Sequence, residues 1–348
     1  MRGFYKRDRL TNLLNSWANW QMRKITWLID QMDLCRELIQ RGSISNLRSA
    51  VLLLDNAAEI LMHRMTQDEL RFNDLWERML AKTRNETDPA TFARFCQEVA
   101  REVTLPKLLT QQDKRRINRF FPEKLSFLSE TKKCIPVPVA AALLSLHDHR
   151  NEMYHRDTLR PAILEAMSRL FFQIDCDLLL SQPNGPSYDS RDDWSAFFSR
   201  YDIEMRLPML DQADLATIVA NWRTAVSIDT RTLRESLATY STCRLTDTNE
   251  DIVFLQEFFR LPSIQAVVDF VLDRVVPDLG PVANRSVTIV ERLAAAIAEM
   301  KLIDSTIELF NHFSSIERDF RPIELAISEG RFRVEAGIQL QVDLSLGK

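Results

Sequence analysis

Glycine is scarce, with 7 in 348 residues, and none lies between Gly42 and Gly185. Neither a P-loop nor a G-x-G-x-x-G fingerprint occurs, which excludes the common backbone cradles for nucleotide phosphates. Tight strand-to-strand turns also draw on glycine, so its scarcity points to helices. Cysteine is low and scattered at Cys35, Cys96, Cys134, Cys176 and Cys243, with no C-x-x-C pair. That pattern excludes a disulfide framework and a cysteine zinc site, and it predicts reduced thiols and a cytoplasmic setting. No apolar run is long enough to span a membrane. The basic N-terminal residues Met1–Arg7 have no apolar run behind them, so no secretory leader is expected.

The chain does have the apolar content for proper cores, at 45% hydrophobic, and a length that suits two domains. The net charge of −4 hides an asymmetry. Residues 1–182 carry 28 Lys and Arg against 23 Asp and Glu, and the remainder carries 17 against 26. Arginine outnumbers lysine 35 to 10. A basic, arginine-rich half suits a phosphate-bearing partner such as RNA, although solvated helix faces produce the same imbalance.

Helical spacing runs through residues 17–41 and stops at Gly42, where a C-terminal glycine belongs. Ser43 or Ser45 caps a second helix predicted to run to about Met65. Residues 68–133 read as a helical insertion. Pro136 and Pro138 open a further helix through Leu143 and Leu146, and Pro161 starts another that runs to about Leu180. The turn formers at Pro183-Asn184-Gly185-Pro186 mark a linker over 183–192. Beyond it, residues 193–348 form an acidic, mostly helical domain. Polar and apolar residues alternate over Arg331–Leu344 around Ala336-Gly337, which predicts a terminal β-hairpin. The fold class expected is therefore all-α, closed by a short hairpin.

Three of the five histidines fall within Leu146–Asp157, and Arg150, Asn151 and His155 form an Arg-Asn-x-x-x-His pattern. Chance alone gives an Arg-x-x-x-x-His pair about 0.5 times in this composition, and the version with Asn about 0.02 times. Histidine moves protons near neutral pH, arginine matches phosphate geometry, and asparagine orients either one. These are the parts needed to cleave a phosphodiester without a metal. On a regular helix Arg150 and His155 lie about 140° apart, so one straight helix does not aim both at one point. A two-fold interface brings them together and predicts a homodimer.

The motif, set on a helix in a helical domain, resembles the HEPN superfamily of ribonucleases and toxins over residues 20–182. That resemblance implies a helical bundle that dimerises and joins Arg and His of two protomers into a metal-independent ribonuclease site. It implies catalytic roles for Arg150, Asn151 and His155, with RNA as substrate and no cofactor or metal. It also implies toxin or anti-phage activity of the abortive-infection type. Charge and position alone suggest that residues 193–348 control that activity, by sensing a trigger, binding an antitoxin or holding the dimer. The alternative is a HEPN-like module that binds RNA or protein without catalysis.

Four residues are candidates for support. His147 lies one turn before Asn151 and shares its face. Tyr154 offers a stacking ring. Asp55 and Glu59 lie one turn apart on the second helix, where a polar residue in the related families orients the motif arginine. Solvated carboxylates are the plainer reading of both. The basic-aromatic run Asp113–Phe121 supplies Lys114, Arg115, Arg116 and Arg119 as RNA contacts, or else an amphipathic helix whose Ile117 and Phe120-Phe121 face a core. His147 and His149 point to opposite sides of a helix, which argues against a metal pair.

Overall fold

The computed structural model describes residues 25–86, 88–91, 108–155, 159–182, 195–201, 212–275 and 288–346, and among them there is no strand. The chain divides into two compact units. One comprises Met1–Thr158 with Ser168–Ser227, and the other Leu159–Met167 with Ile228–Lys348. The linker expected over 183–192 lies outside the described residues.

Among the described residues the first unit begins with α1 (Ile25–Arg41) and α2 (Ile44–Glu86). Gly42 ends α1 at φ +67°, a left-handed turn that glycine adopts without a Cβ penalty, and its N–H donates to Leu38 O at 3.3 Å. The Ser43 hydroxyl then accepts from the Asn46 N–H at 3.3 Å, capping α2 as expected. The short turn makes the two helices antiparallel neighbours. Gln31 reaches Leu53 O at 2.5 Å and Cys35 sits 3.9 Å from Ala50 O. Leu28, Met32 and Ile39 bury against Leu47, Leu54, Ala58 and Leu61. Helix α2 continues well past the predicted end near Met65. No glycine or proline interrupts Thr66–Glu86, so nothing stops a helix once begun.

Helix α3 (Gln111–Arg119) starts in a capping box between Thr110 and Asp113. Helix α4 (Phe121–Ser126) runs on into a π-helical turn, Phe127–Thr131. Helix α5 (Val137–His155) carries the whole motif, and α6 (Pro161–Leu180) begins at its proline. Leu170, Phe171, Phe172, Ile174 and Leu178 of α6 are all buried, so the part of this helix within the first unit is covered on most sides. Helices α7 (Ser195–Arg200) and α8 (Gln212–Ala225) complete the unit around Asp33, which is 4% exposed. Arg36 Nε donates to Asp33 at 2.8 Å, Tyr201 OH at 2.5 Å and Trp222 Nε1 at 3.1 Å, and Arg200 pairs with its second oxygen.

In the second unit α9 (Thr230–Phe259) lies along α12 (Thr306–Ser345). Leu233, Leu237, Ile252 and Leu255 pack with Phe310, Phe313, Phe320 and Ile327. Helices α10 (Ile264–Phe270) and α11 (Thr288–Glu299) close the sides. Arg244 of α9 joins Glu317 and Glu324 of α12 under the rings of Tyr240 and Phe320, and Arg160 reaches Glu317 at 3.4 Å.

The predicted β-hairpin is not there: Arg331–Leu344 belongs to α12, a single helix of 40 residues. Alternation signals a strand only where a sheet covers one face, and a lone hairpin is marginal in water. Ala336-Gly337 lacks the left-handed first residue that a two-residue primed turn needs. The helix, capped by Ser305 onto the Glu308 N–H at 3.3 Å, simply propagates through Glu, Ala, Gln and Leu.

Candidate functional site

Helix α5 presents the motif across α2. Asp55 is 2% exposed, and its two oxygens face two motif-side residues. Oδ1 accepts from His147 Nδ1 at 2.7 Å, and Oδ2 lies 3.2 Å from Arg150 Nε. The Arg150 contact is an ion pair without hydrogen-bond alignment, since Nε is buried and makes no hydrogen bond. Arg150 Nη1 donates to Asn151 Oδ1 at 2.9 Å. The Arg150 guanidinium also lies 5.3 Å from the Tyr154 ring centroid, within cation–π range. On the far side, the His147 ring stacks on Phe121 of α4 with centroids 3.9 Å apart and planes 5° from parallel. One buried carboxylate therefore sets the position of a cation and an imidazole together.

Of the motif residues, Arg150 and Asn151 meet directly, whereas His155 does not join them. It is exposed at the end of α5 and makes an edge contact with Tyr154, centroids 5.0 Å apart. Tyr154 is 61% exposed and touches both the arginine and that histidine. Asp55 is buried beside Arg150 and His147 rather than solvated. Glu59 instead faces Lys124, 3.5 Å away.

The basic run divides in the same way. Lys114 is 7% exposed and bonds Asp74 at 2.7 Å and Glu77 at 3.1 Å. The hydrogen bond it donates to Asp74 leads in pushing its ammonium above the ordinary lysine value. Its charge is satisfied inside the protein, which removes it from the surface cations open to RNA. Arg116 pairs with Glu123. Arg115 and Arg119 are exposed, and Arg119 lies 5.3 Å from the Phe120 ring centroid. His147 and His149 differ in surroundings, His149 facing Glu152 at 4.0 Å. Among the described residues no group of three His, Cys, Asp or Glu is placed to hold a metal ion.

Against protein-family models, curated proteins and solved structures, the chain has no match. The site thus rests on its own geometry.

Sequence reasoning passed over Asp175 of α6. It is fully buried, and neither carboxylate oxygen has a hydrogen-bond partner. Burial pushes its carboxyl well above the usual range, and the nearby charge of Asp55 adds to the shift. The same burial, with Asp175 contributing, raises the Cys35 thiol. The signal was there in Leu170–Leu180: Asp175 follows Phe171 by one helical turn on a face of large apolar residues, where a carboxylate has no water.

Proposed function

We propose that this protein is a metal-independent endoribonuclease of HEPN type, acting as a toxin or anti-phage defence effector in the cytoplasm. The observation that supports it most is the shared anchoring of Arg150 and His147 by buried Asp55, with Asn151 on the same guanidinium. Such an arrangement holds a cation where a phosphorane would develop charge and an imidazole where a proton must move. In the proposed reaction the ribose 2′-oxygen attacks phosphorus, the P–O5′ bond breaks, and the products are a 2′,3′-cyclic phosphate and a 5′-hydroxyl. Arg150 stabilises the phosphorane, Asn151 holds Arg150, and His155 takes part in proton transfer, from its own protomer or a second one. DNA, without the 2′-hydroxyl, is not cut. The second, acidic unit restrains the nuclease through an antitoxin or a trigger protein.

A specific observation favours a second reading. His155 is solvent-exposed and lies apart from Asp55, as it would in a module that binds RNA or protein without cutting. The test is cleavage of mixed-sequence RNA by purified protein in EDTA, with wild type beside Arg150→Ala and His155→Ala. The reading expects cyclic phosphate ends from the wild type and a loss of at least about 100-fold in each variant. Absence of cleavage by folded wild type would leave the binding module standing.

A further inference from the structure

His147 and His155 flank Arg150 along α5, three residues before it and five after, and the structure treats them differently. His147 is bonded to a buried carboxylate and stacked on a phenylalanine, so its ring plane and one nitrogen are fixed. His155 has neither constraint. Helical geometry points the same way. Relative to Arg150, His147 is turned by about 60° around the α5 axis and His155 by about 140°. Within a single protomer, His147 is the histidine that shares the arginine's face.

The bond to Asp55 also decides which nitrogen is available. A carboxylate only accepts, so the shared proton sits on Nδ1 and the neutral ring keeps its lone pair on Nε2. The His147 side chain keeps 17% of its surface exposed, Asp55 is the one hydrogen-bond partner of its ring among the described residues, and Nε2 is not a buried orphan, so Nε2 is left to solvent. A carboxylate behind, an imidazole in the middle and an open nitrogen in front is the arrangement of an oriented general base.

We propose that His147, held by Asp55, is the general base of the reaction, and that His155 is left to serve as the acid. This rests on the ribonuclease reading above. In the step, His147 Nε2 removes the 2′-hydroxyl proton as the 2′-oxygen bonds to phosphorus. The P–O5′ bond then breaks with its electron pair going to O5′, which takes a proton from His155. The proton gained by His147 passes afterwards to water. The charged groups beside His147 are Asp55 on α2 and, through that carboxylate, Arg150 on its own helix.

His147→Asn separates the chemical role from a structural one. An asparagine amide reproduces the Nδ1 donor to Asp55 but offers nothing at the place of Nε2. With mixed-sequence RNA in EDTA, the variant is expected to lose at least about 100-fold in cleavage rate and keep the wild-type melting temperature. The wild-type rate should rise with pH along an acidic limb and fall along an alkaline one. The residual rate of His147→Asn loses the acidic limb, and that of His155→Ala loses the alkaline one. Cleavage by His147→Asn within about threefold of wild type, while His155→Ala is inactive, would overturn the assignment and leave the ribonuclease reading intact. Wild type that cleaves no RNA would overturn both.

Discussion

At Asp175 two carboxyl oxygens enter a site that offers them no donor. The fold therefore favours the protonated form, which the unfolded chain holds only below its ordinary value near 4. A raised folded value means that the native state binds the proton more tightly. Stability from this group is fully present below the unfolded value and falls as pH rises through the window above it. Asp175→Asn mimics the neutral form at every pH. It is expected to raise the melting temperature at pH 8 and to lose that advantage near pH 4, as paired thermal scans would show. A pH-independent effect would mean that Asp175 is ionised in the fold. Asp55 and Glu59 illustrate what the sequence could and could not decide here. Both stand on the same helix one turn apart, and only packing reveals that one meets His147 and the other Lys124. The motif residues themselves were readable because their chemistry is unusual at that spacing, whereas the partner of His147 is 92 residues away.

Helix ends were legible where the chain carries a stereochemical stop. Gly42 and Pro161 gave α1 and α6 their limits, and both stand. The length of α2 and the whole C-terminal part of α12 were not legible. In the first case no breaker marks the end, and in the second the alternating pattern had no sheet to serve. Two glycines of α12 make its packing measurable. A Cβ at Gly330 would stand 2.9 Å from Val271 Cγ1 and 3.4 Å from Cγ2, with Leu255 Cδ1 at 3.7 Å. At Gly337 a Cβ meets nothing within 4 Å. Gly330→Ala is expected to destabilise by about 1 kcal/mol, the overpacking exceeding the gain in helix propensity. Gly337→Ala should stabilise by about 0.5–1 kcal/mol, because it only removes glycine's conformational freedom. Urea titrations of the two variants check both signs, and equal shifts would mean that α12 does not pack as described.

At the scale of the molecule, composition foretold the helices, since scarce glycine and 45% hydrophobic content leave few other solutions. It did not foretell that Ser195–Ser227 joins the first unit, because that membership depends on side chains far apart in sequence. Tyr201 and Trp222 both donate to Asp33, and removing them leaves a buried carboxylate with fewer donors. A chain ending at residue 182 is therefore expected to be poorly folded, with weak near-ultraviolet dichroism and rapid proteolysis. One ending at 227 keeps the donors. A well-packed 1–182 fragment would show that Asp33 needs neither.

The Asp33 cluster also orders events during synthesis. Its carboxylate is made 189 residues before the Trp222 that donates to it. Until then α1 carries an acidic group facing its own apolar side, partnered only by its neighbour Arg36. Helix α1 cannot complete this cluster before Trp222 has been translated, which leaves its acidic side in the interim to whatever chaperones attend the tunnel exit.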